Sequence, residues 1–340
     1  MTSSNAVDRS AGSDSSDAGH LDHNELRRDP LSGRWVTIAA GRAARPMSFH
    51  RPPPQVRGAL GCPFCGGHEH QTPPEVWTDG SPDWTVRVVP NKFAAFGPLP
   101  EQAEAAGPEV RQLAATGAHE VVIHGPAHKV SFTELDPSTA AAVMRAWRAR
   151  LAYRDGQPLG AVTVIINEGR EAGASLEHSH SQVFATALRP DLVQAEMDRL
   201  GGAACAACEL VAGERKHGDR VVADEAGVLT VCPWASMLPF ECLIVPDVHL
   251  ARFQDGDAAA DRAVAAALAG AVARLAAVVG LVPAWNAVLH SAPPGVTDFH
   301  WHLHVYPRLT TQGGFELGTG ILINEMVPDA AAERLRAART

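Results

Sequence analysis

The chain is short of basic residues. Lys and Arg number 29 against 38 Asp and Glu, a formal net charge of −9 over 340 residues. No broad basic field is available to hold a nucleic acid, although a local pocket can still receive an anion. Long apolar runs are lacking too. No uninterrupted stretch of about 18 apolar residues occurs, so no transmembrane helix and no membrane partner are expected. The opening MTSSNAVDRSAGSDSSDAGHLDHNE has no apolar segment of the secretory kind. Its Ser, Asp and Gly content predicts a disordered tail over residues 1–24, on a chain expected in the cytoplasm. Cysteine is sparse: six residues, four of them in two C-x-x-C pairs, Cys62/Cys65 and Cys205/Cys208. Without a signal peptide, that pattern disfavours a disulfide framework and favours metal binding. Cys232 and Cys242 lie in the apolar stretches LTVCPW and FECLIVP and are expected in the core.

What is present suits a folded protein of about two domains; the chain is 46% hydrophobic and 20% charged. The same unit occurs twice. After Cys62 come CPFC, an extended WTVRVVP (84–90), HEVVIHGPAH ending at His128, a helix, AVTVIIN (161–167), a loop and HSHSQ (178–182). After Cys205 come CAAC, VLTVCP (228–233), FECLIVPDVH ending at His249, a helix, AWNAVLH (284–290), a loop and HWHLH (300–304). His128 and His178 are 50 residues apart, His249 and His300 51, so the histidines recur at matched steps. The first helix opens on Asp136 and Pro137, a cap followed by proline at the first helical position. Ala141, Met144, Trp147 and Leu151 follow at three- and four-residue spacing. The second, 257–280, is Ala-rich and stops at Gly280. Short strands crossed by one long helix per unit predict an α+β fold with a mainly antiparallel sheet in each unit. The units are placed at 25–190 and 191–340.

Zinc takes four thiolate or imidazole ligands in a tetrahedron. The repeat assigns one site to Cys62, Cys65, His128 and His178, and a second to Cys205, Cys208, His249 and His300. Four-coordinate sites of this kind leave no open position and are structural, tying each C-x-x-C loop to its sheet. In an extended HSHSQ, His178, His180 and Gln182 share one face. With His178 on zinc, His180 is left as a neutral imidazole, a good nucleophile toward phosphorus. Upstream, NEGREAGAS offers Gly169, Gly173 and Ser175 as a phosphate-holding loop, and Gln182 can donate its amide N–H to a phosphoryl oxygen. These are parts for displacement at a phosphate.

The run N-x-G-x-x-x-G-A-S-x-x-H-x-H-x-Q resembles the active-site motif of the galactose-1-phosphate uridylyltransferase family, in the histidine-triad superfamily. RRDPLSGRWVTIAAGRAARP (27–46), CPFC, VPNKFAAF (89–96), GPAHKVSFTELD (125–136), PFECLIVP (239–246) and HWHLHVYP (300–307) are similar to family segments in family order. The resemblance implies two tandem histidine-triad units, often as a homodimer, and ping-pong transfer through a nucleotidyl-histidine. It implies His180 as nucleophile, His178 as a zinc ligand, and Asn167, Gly173, Ala174, Ser175 and Gln182 at the nucleotide phosphates. Asn91 and Phe93 would meet base and ribose, with Arg42 and Arg45 near the substrate. Donor and acceptor would be a nucleotide sugar and a sugar phosphate, with UMP the group moved to a hexose 1-phosphate.

Three departures bear on that. HSHSQ stands where the usual uridylyltransferase has HPHGQ. Thr319 and Gly320 stand where the family carries a hexose-contacting ring and carboxylate. Both are similar to a branch that includes plant-type ADP-glucose and dinucleoside-tetraphosphate phosphorylases, which use inorganic phosphate as acceptor. Glu196, His290, His302 and His304 align with a second metal site of bacterial uridylyltransferases, a different placement from Cys205, Cys208, His249 and His300. A hydrolase would carry a third histidine at Gln182, and a zinc-stabilised binding module would need neither His180 nor Gln182.

Overall fold

The computed structural model describes residues 24–39, 58–80, 83–98, 114–201 and 205–338. The expected tail, except for residue 24, and both Arg42 and Arg45 lie outside them. In the first unit the strands are β1 (Glu25–Arg28), β2 (Trp35–Ile38), β3 (Trp77–Thr78), β4 (Arg87–Pro90), β5 (Gly117–Ile123), β6 (Ala161–Glu168) and β7 (His180–Thr186). The second has β8 (Val221–Glu225), β9 (Val228–Val231), β10 (Cys242–Pro246), β11 (Trp285–His290), β12 (His302–Pro307) and β13 (Leu322–Asn324). The helices are α1 (Pro137–Asp155), α2 (Asp191–Leu200), α3 (Ala206–His217), α4 (Ala258–Val279), α5 (Gly314–Thr319) and α6 (Pro328–Ala337).

Ten strands form one continuous sheet in the order β3-β4-β5-β7-β6-β11-β12-β10-β9-β8. The order reads the same from both ends once repeat partners are matched, so the units meet edge to edge at β6 and β11. Every neighbouring pair in this sheet is antiparallel. Joining the inner edges removes two unpaired strand edges at once. Glu168 and Asn167 tie the seam: Trp285 donates its indole N–H to Glu168 at 2.8 Å, and Asn286 donates to Asn167 Oδ1 at 2.8 Å. A separate small sheet, β1-β2-β13, has a parallel pair, β2 with β13, that the repeat does not announce.

The first long helix starts at the cap its sequence predicts, and the second proves to have an aspartate cap of the same kind. Asp136 accepts from the Ser138 and Thr139 amides, and Asp257 from those of Ala259 and Ala260. Gly280 ends α4 at φ 88°, a conformation that glycine adopts without a Cβ clash. Val143, Met144, Trp147 and Leu151 of α1 and Val264, Leu268, Val272 and Leu275 of α4 are buried in one core with the sheet. Arg148 joins the helices, donating to Asp261 at 2.7 and 2.8 Å. By length and mean hydropathy α4 could cross a bilayer, although it holds no uninterrupted apolar run of about 18 residues. Its Asp and Arg residues interrupt the apolar run, and here it is a core helix with one face on α1 and the sheet. Cys232 and Cys242 are buried in that core, as expected.

Candidate active site and metal centres

Trp147 of α1 donates its indole N–H to Ser181 at 2.8 Å, so Ser181 faces the helix layer. Strand alternation then turns His180 and Gln182 to the opposite face. Behind the strand, His124 is buried and bonds both serines of HSHSQ, Ser179 at 2.9 Å and Ser181 at 3.0 Å. The serines that depart from HPHGQ therefore belong to a buried polar network of His124, Ser179, Ser181 and Trp147. Sequence reasoning missed His124 and Trp147 as partners, because nothing local links residues 55 and 34 positions away.

His180 donates Nδ1–H to the His178 carbonyl at 2.7 Å, which leaves Nε2 with its lone pair free. Burial holds its pKa below the ordinary histidine value, with the His178 carbonyl partly opposing, so the ring is neutral near pH 7. Phe64, from the CPFC loop, covers it edge-on with ring centroids 5.3 Å apart. The loop after β6 is shaped by two left-side glycines, Gly169 at φ 85° and Gly173 at φ 88°. A Cβ on Gly169 would lie 2.7 Å from the Ala284 Cβ, so only glycine fits against the second unit. Asn286 holds both Asn167 Oδ1 and the Ala172 carbonyl, each at 2.8 Å, and so braces the loop leading to Gly173, Ala174 and Ser175. Asn286 was not singled out from sequence; its place opposite Asn167 in the β6–β11 register is the signal. Asn91 follows β4 and lies 3.0 Å from His119, which reaches Gln182 at 2.7 Å. Phe93 is 85% exposed, an apolar ring presented to solvent beside Asn91. Thr319 and Gly320 are exposed at the end of α5, where Thr319 donates to the Phe315 carbonyl at 2.7 Å.

Two Cys/His clusters form as the repeat predicts. In each, the four ligand atoms lie within 4.8 Å of one another. His178 Nδ1 is 3.6 Å from Cys62 Sγ and 3.7 Å from Cys65 Sγ, and His128 Nδ1 is 3.4 Å from Cys65 Sγ. His300 Nδ1 is 3.6 and 3.5 Å from Cys205 and Cys208, and His249 Nδ1 is 3.3 Å from Cys208. A tetrahedron with Zn–S of about 2.3 Å and Zn–N of about 2.0–2.1 Å has S···N edges of roughly 3.6 Å. His178 and His300 donate Nε2–H to the Gly125 and Pro246 carbonyls at 3.0 and 3.1 Å, which presents Nδ1 to the thiols. Burial, first among its causes, lowers both pKa values to about 4, so both rings are neutral.

The alternative second site is also present, and it shares no residue with the Cys205 cluster. Glu196, His290 and His302 bring three ligand atoms within 4.8 Å of one another. Glu196 is 2.8 Å from His290 Nδ1, and His302 Nε2 is buried with no partner. His304, the fourth candidate, turns Nδ1 to Glu241 at 3.1 Å. The sequence left open whether the Glu196 set replaces the Cys205 site or adds to it; in the fold both clusters form, with His300 in one and His302 in the other.

A neutral imidazole with a free Nε2 and an amide on one strand face, beside a glycine loop in the first unit of a tandem histidine-triad fold, mark a nucleotidyltransferase-type enzyme. The chain belongs to the galactose-1-phosphate uridyl transferase family, whose N-terminal domain model matches residues 16–190. It is 32% identical to an ADP-glucose phosphorylase of Arabidopsis thaliana over 99% of each chain. It is 25% identical to a galactose-1-phosphate uridylyltransferase of Thermotoga maritima over 92% of this chain and 98% of that one. The crystal structure of an ADP-glucose phosphorylase from Arabidopsis thaliana with bound ADP-glucose superposes at a TM-score of 0.77, with 27% identity, covering 94% of this chain and 99% of that one.

Proposed function

We propose that the chain transfers a nucleoside monophosphate from a nucleotide sugar through His180, with ADP-glucose as donor and inorganic phosphate as acceptor. The observation that carries the transfer is the His180 ring: Nδ1–H on the His178 carbonyl, Nε2 bare, the ring neutral. Nε2 attacks the α-phosphorus of ADP-glucose, the bond from that phosphorus to the bridging oxygen breaks, and glucose 1-phosphate leaves with the electron pair. The imidazole now carries AMP and a positive charge, which the His178 carbonyl stabilises through Nδ1–H. A phosphate oxygen then attacks the same phosphorus, the N–P bond returns its pair to Nε2, and ADP leaves. Asn167, Gly173, Ala174 and Ser175 hold the phosphates, Gln182 donates its amide N–H to a phosphoryl oxygen as charge builds there, and Asn91 and Phe93 receive the nucleoside. The Cys62 and Cys205 clusters would each hold a zinc that anchors its loop.

The donor and acceptor rest on two supports. The Arabidopsis ADP-glucose phosphorylase is similar over the whole chain. Thr319 and Gly320 offer no ring or carboxylate to hydrogen-bond a hexose, and a site without such groups discriminates poorly among sugars. A second reading, UMP transfer from UDP-glucose to galactose 1-phosphate, is favoured by the family model and the Thermotoga relative. The test offers ADP-glucose, UDP-glucose and UDP-galactose, each with phosphate, galactose 1-phosphate or glucose 1-phosphate. ADP-glucose with phosphate should turn over fastest. A preference for UDP-glucose with galactose 1-phosphate above roughly a hundredfold would return the chain to uridylyl transfer.

A further inference from the structure

His119 lies on β5 with its ring stacked on Phe184 of β7, centroids 3.9 Å apart and planes at 26°. Its two nitrogens have different partners. Nδ1 receives the Ala95 backbone N–H at 3.2 Å; a backbone amide can only donate, so Nδ1 is bare. Burial lowers the pKa, so the ring is neutral and its single proton is on Nε2. That proton is given to Gln182 Oε1 at 2.7 Å. Asn91 Nδ2 also lies 3.0 Å from Nε2, and Asn91 Oδ1 is occupied by the Phe93 N–H at 2.8 Å. Two donors cannot satisfy each other. The fixed Ala95 amide decides the tautomer, and the Asn91 NH2 is left for an acceptor on a ligand.

We infer that His119 is a positioning residue for the transfer: by holding Gln182 Oε1, it leaves the Gln182 NH2 as the end that meets the phosphoryl group on His180. The inference rests on His180 as the nucleotidyl carrier. An amide has nearly the same shape either way round, so packing does not choose its orientation; a hydrogen bond does. Turned over, Gln182 would set a carbonyl lone pair against phosphoryl oxygens and repel the charge it should stabilise.

The second unit carries the same brace. Val121 stands opposite Gln182, and Leu243 stands opposite His304. Two residues before Val121, His119 bonds Gln182; two residues before Leu243, Glu241 bonds His304 at 3.1 Å. In both units a residue on the neighbouring strand, or immediately before it, bonds the side chain two positions beyond the central histidine.

Two variants and one spectrum test this. His119→Phe keeps a ring on Phe184 and removes the donor. His119→Gln restores an N–H near the Nε2 position without the ring. Rapid-quench labelling of the full chain with radiolabelled ADP-glucose should be about tenfold or more slower in His119→Phe, with donor KM within about threefold of wild type. His119→Gln should recover most of the rate. A His119→Phe rate equal to wild type, or His119→Gln as slow as His119→Phe, would overturn the inference. Independently of turnover, 15N spectra of histidine-labelled protein should show His119, assigned by its loss in His119→Phe, as the Nε2–H tautomer. An Nδ1–H tautomer would overturn it. If wild-type protein takes no label from any nucleotide sugar, the transfer reading fails, and the tautomer alone decides whether His119 orients Gln182.

Discussion

His180 and His302 stand at the same step of the two repeats, and each turns Nδ1 to the carbonyl two residues back: His180 to His178 at 2.7 Å, His302 to His300 at 3.0 Å. The carbonyl accepts, so the ring proton is on Nδ1 and Nε2 is free in both. Around His180 the neighbours are an amide and a glycine loop. Around His302 they are Glu196 and His290, with Nε2 buried and unpartnered. The same backbone device suits a nucleophile in one unit and a cation ligand in the other.

His180→Ala should lose covalent labelling and lower turnover by several orders of magnitude, with an unchanged melting temperature. The wild-type pH profile follows from burial, which lowers the His180 pKa. In the proposed mechanism the neutral ring attacks, so a lowered pKa would keep it active into more acid solution. The labelling rate should stay flat as pH falls through about 6.5, the ordinary histidine value, and decline only below it. A rate already halved at that pH would contradict a neutral, buried nucleophile.

Metal content separates the three clusters. Cys62→Ser and Cys205→Ser should each lower elemental zinc by about one equivalent per chain and lower the melting temperature, because a structural metal contributes folding free energy. Glu196→Ala should leave both of those equivalents in place and remove only what the Glu196, His290 and His302 cluster holds. Equal zinc in wild type and Cys205→Ser would discard the second Cys/His site.

The network behind His180 makes a stability prediction. Ser181→Ala removes the acceptor of the buried Trp147 N–H and a partner of His124, and should cost about 1–3 kcal/mol in denaturant unfolding. Burial first, then the charges of His180 and His178, hold the His124 pKa well below the ordinary value. An unfolded histidine titrates near about 6.5. The unfolded chain therefore binds the proton first as pH drops. The stability due to neutral His124 is complete above that pH and is lost as pH falls below it toward the folded value. His124→Phe should show a smaller loss of melting temperature between pH 7 and pH 5 than wild type.

Gln182→His should change the fate of the intermediate. An imidazole in place of the amide can take a proton from water, which the amide cannot. Label on His180 should then be lost to water faster, with less nucleotide passed to the acceptor. An unchanged ratio of transfer to hydrolysis would mean that Gln182 does not keep water from the intermediate.

The repeat, the cap at Asp136, the stop at Gly280 and the two Cys/His clusters were legible in the sequence. Each depends on local chemistry or on spacing that recurs: a cap needs one side chain and the next two amides, and a C-x-x-C turn brings its own two thiols together. The shared face of His180 and Gln182 was legible for the same reason, since strand alternation alone puts them together. The tertiary structure decided what spacing cannot carry. It joined the units through β6 and β11 into one sheet, which sets Asn286 against Asn167. It paired β2 with β13 across most of the chain. It separated the Glu196 cluster from the Cys205 cluster, and it brought His119 to Gln182 and His124 to Ser179 and Ser181. Those partners are chosen by strand register and helix packing, and register depends on which edges meet in space, a choice that no local stretch of sequence makes.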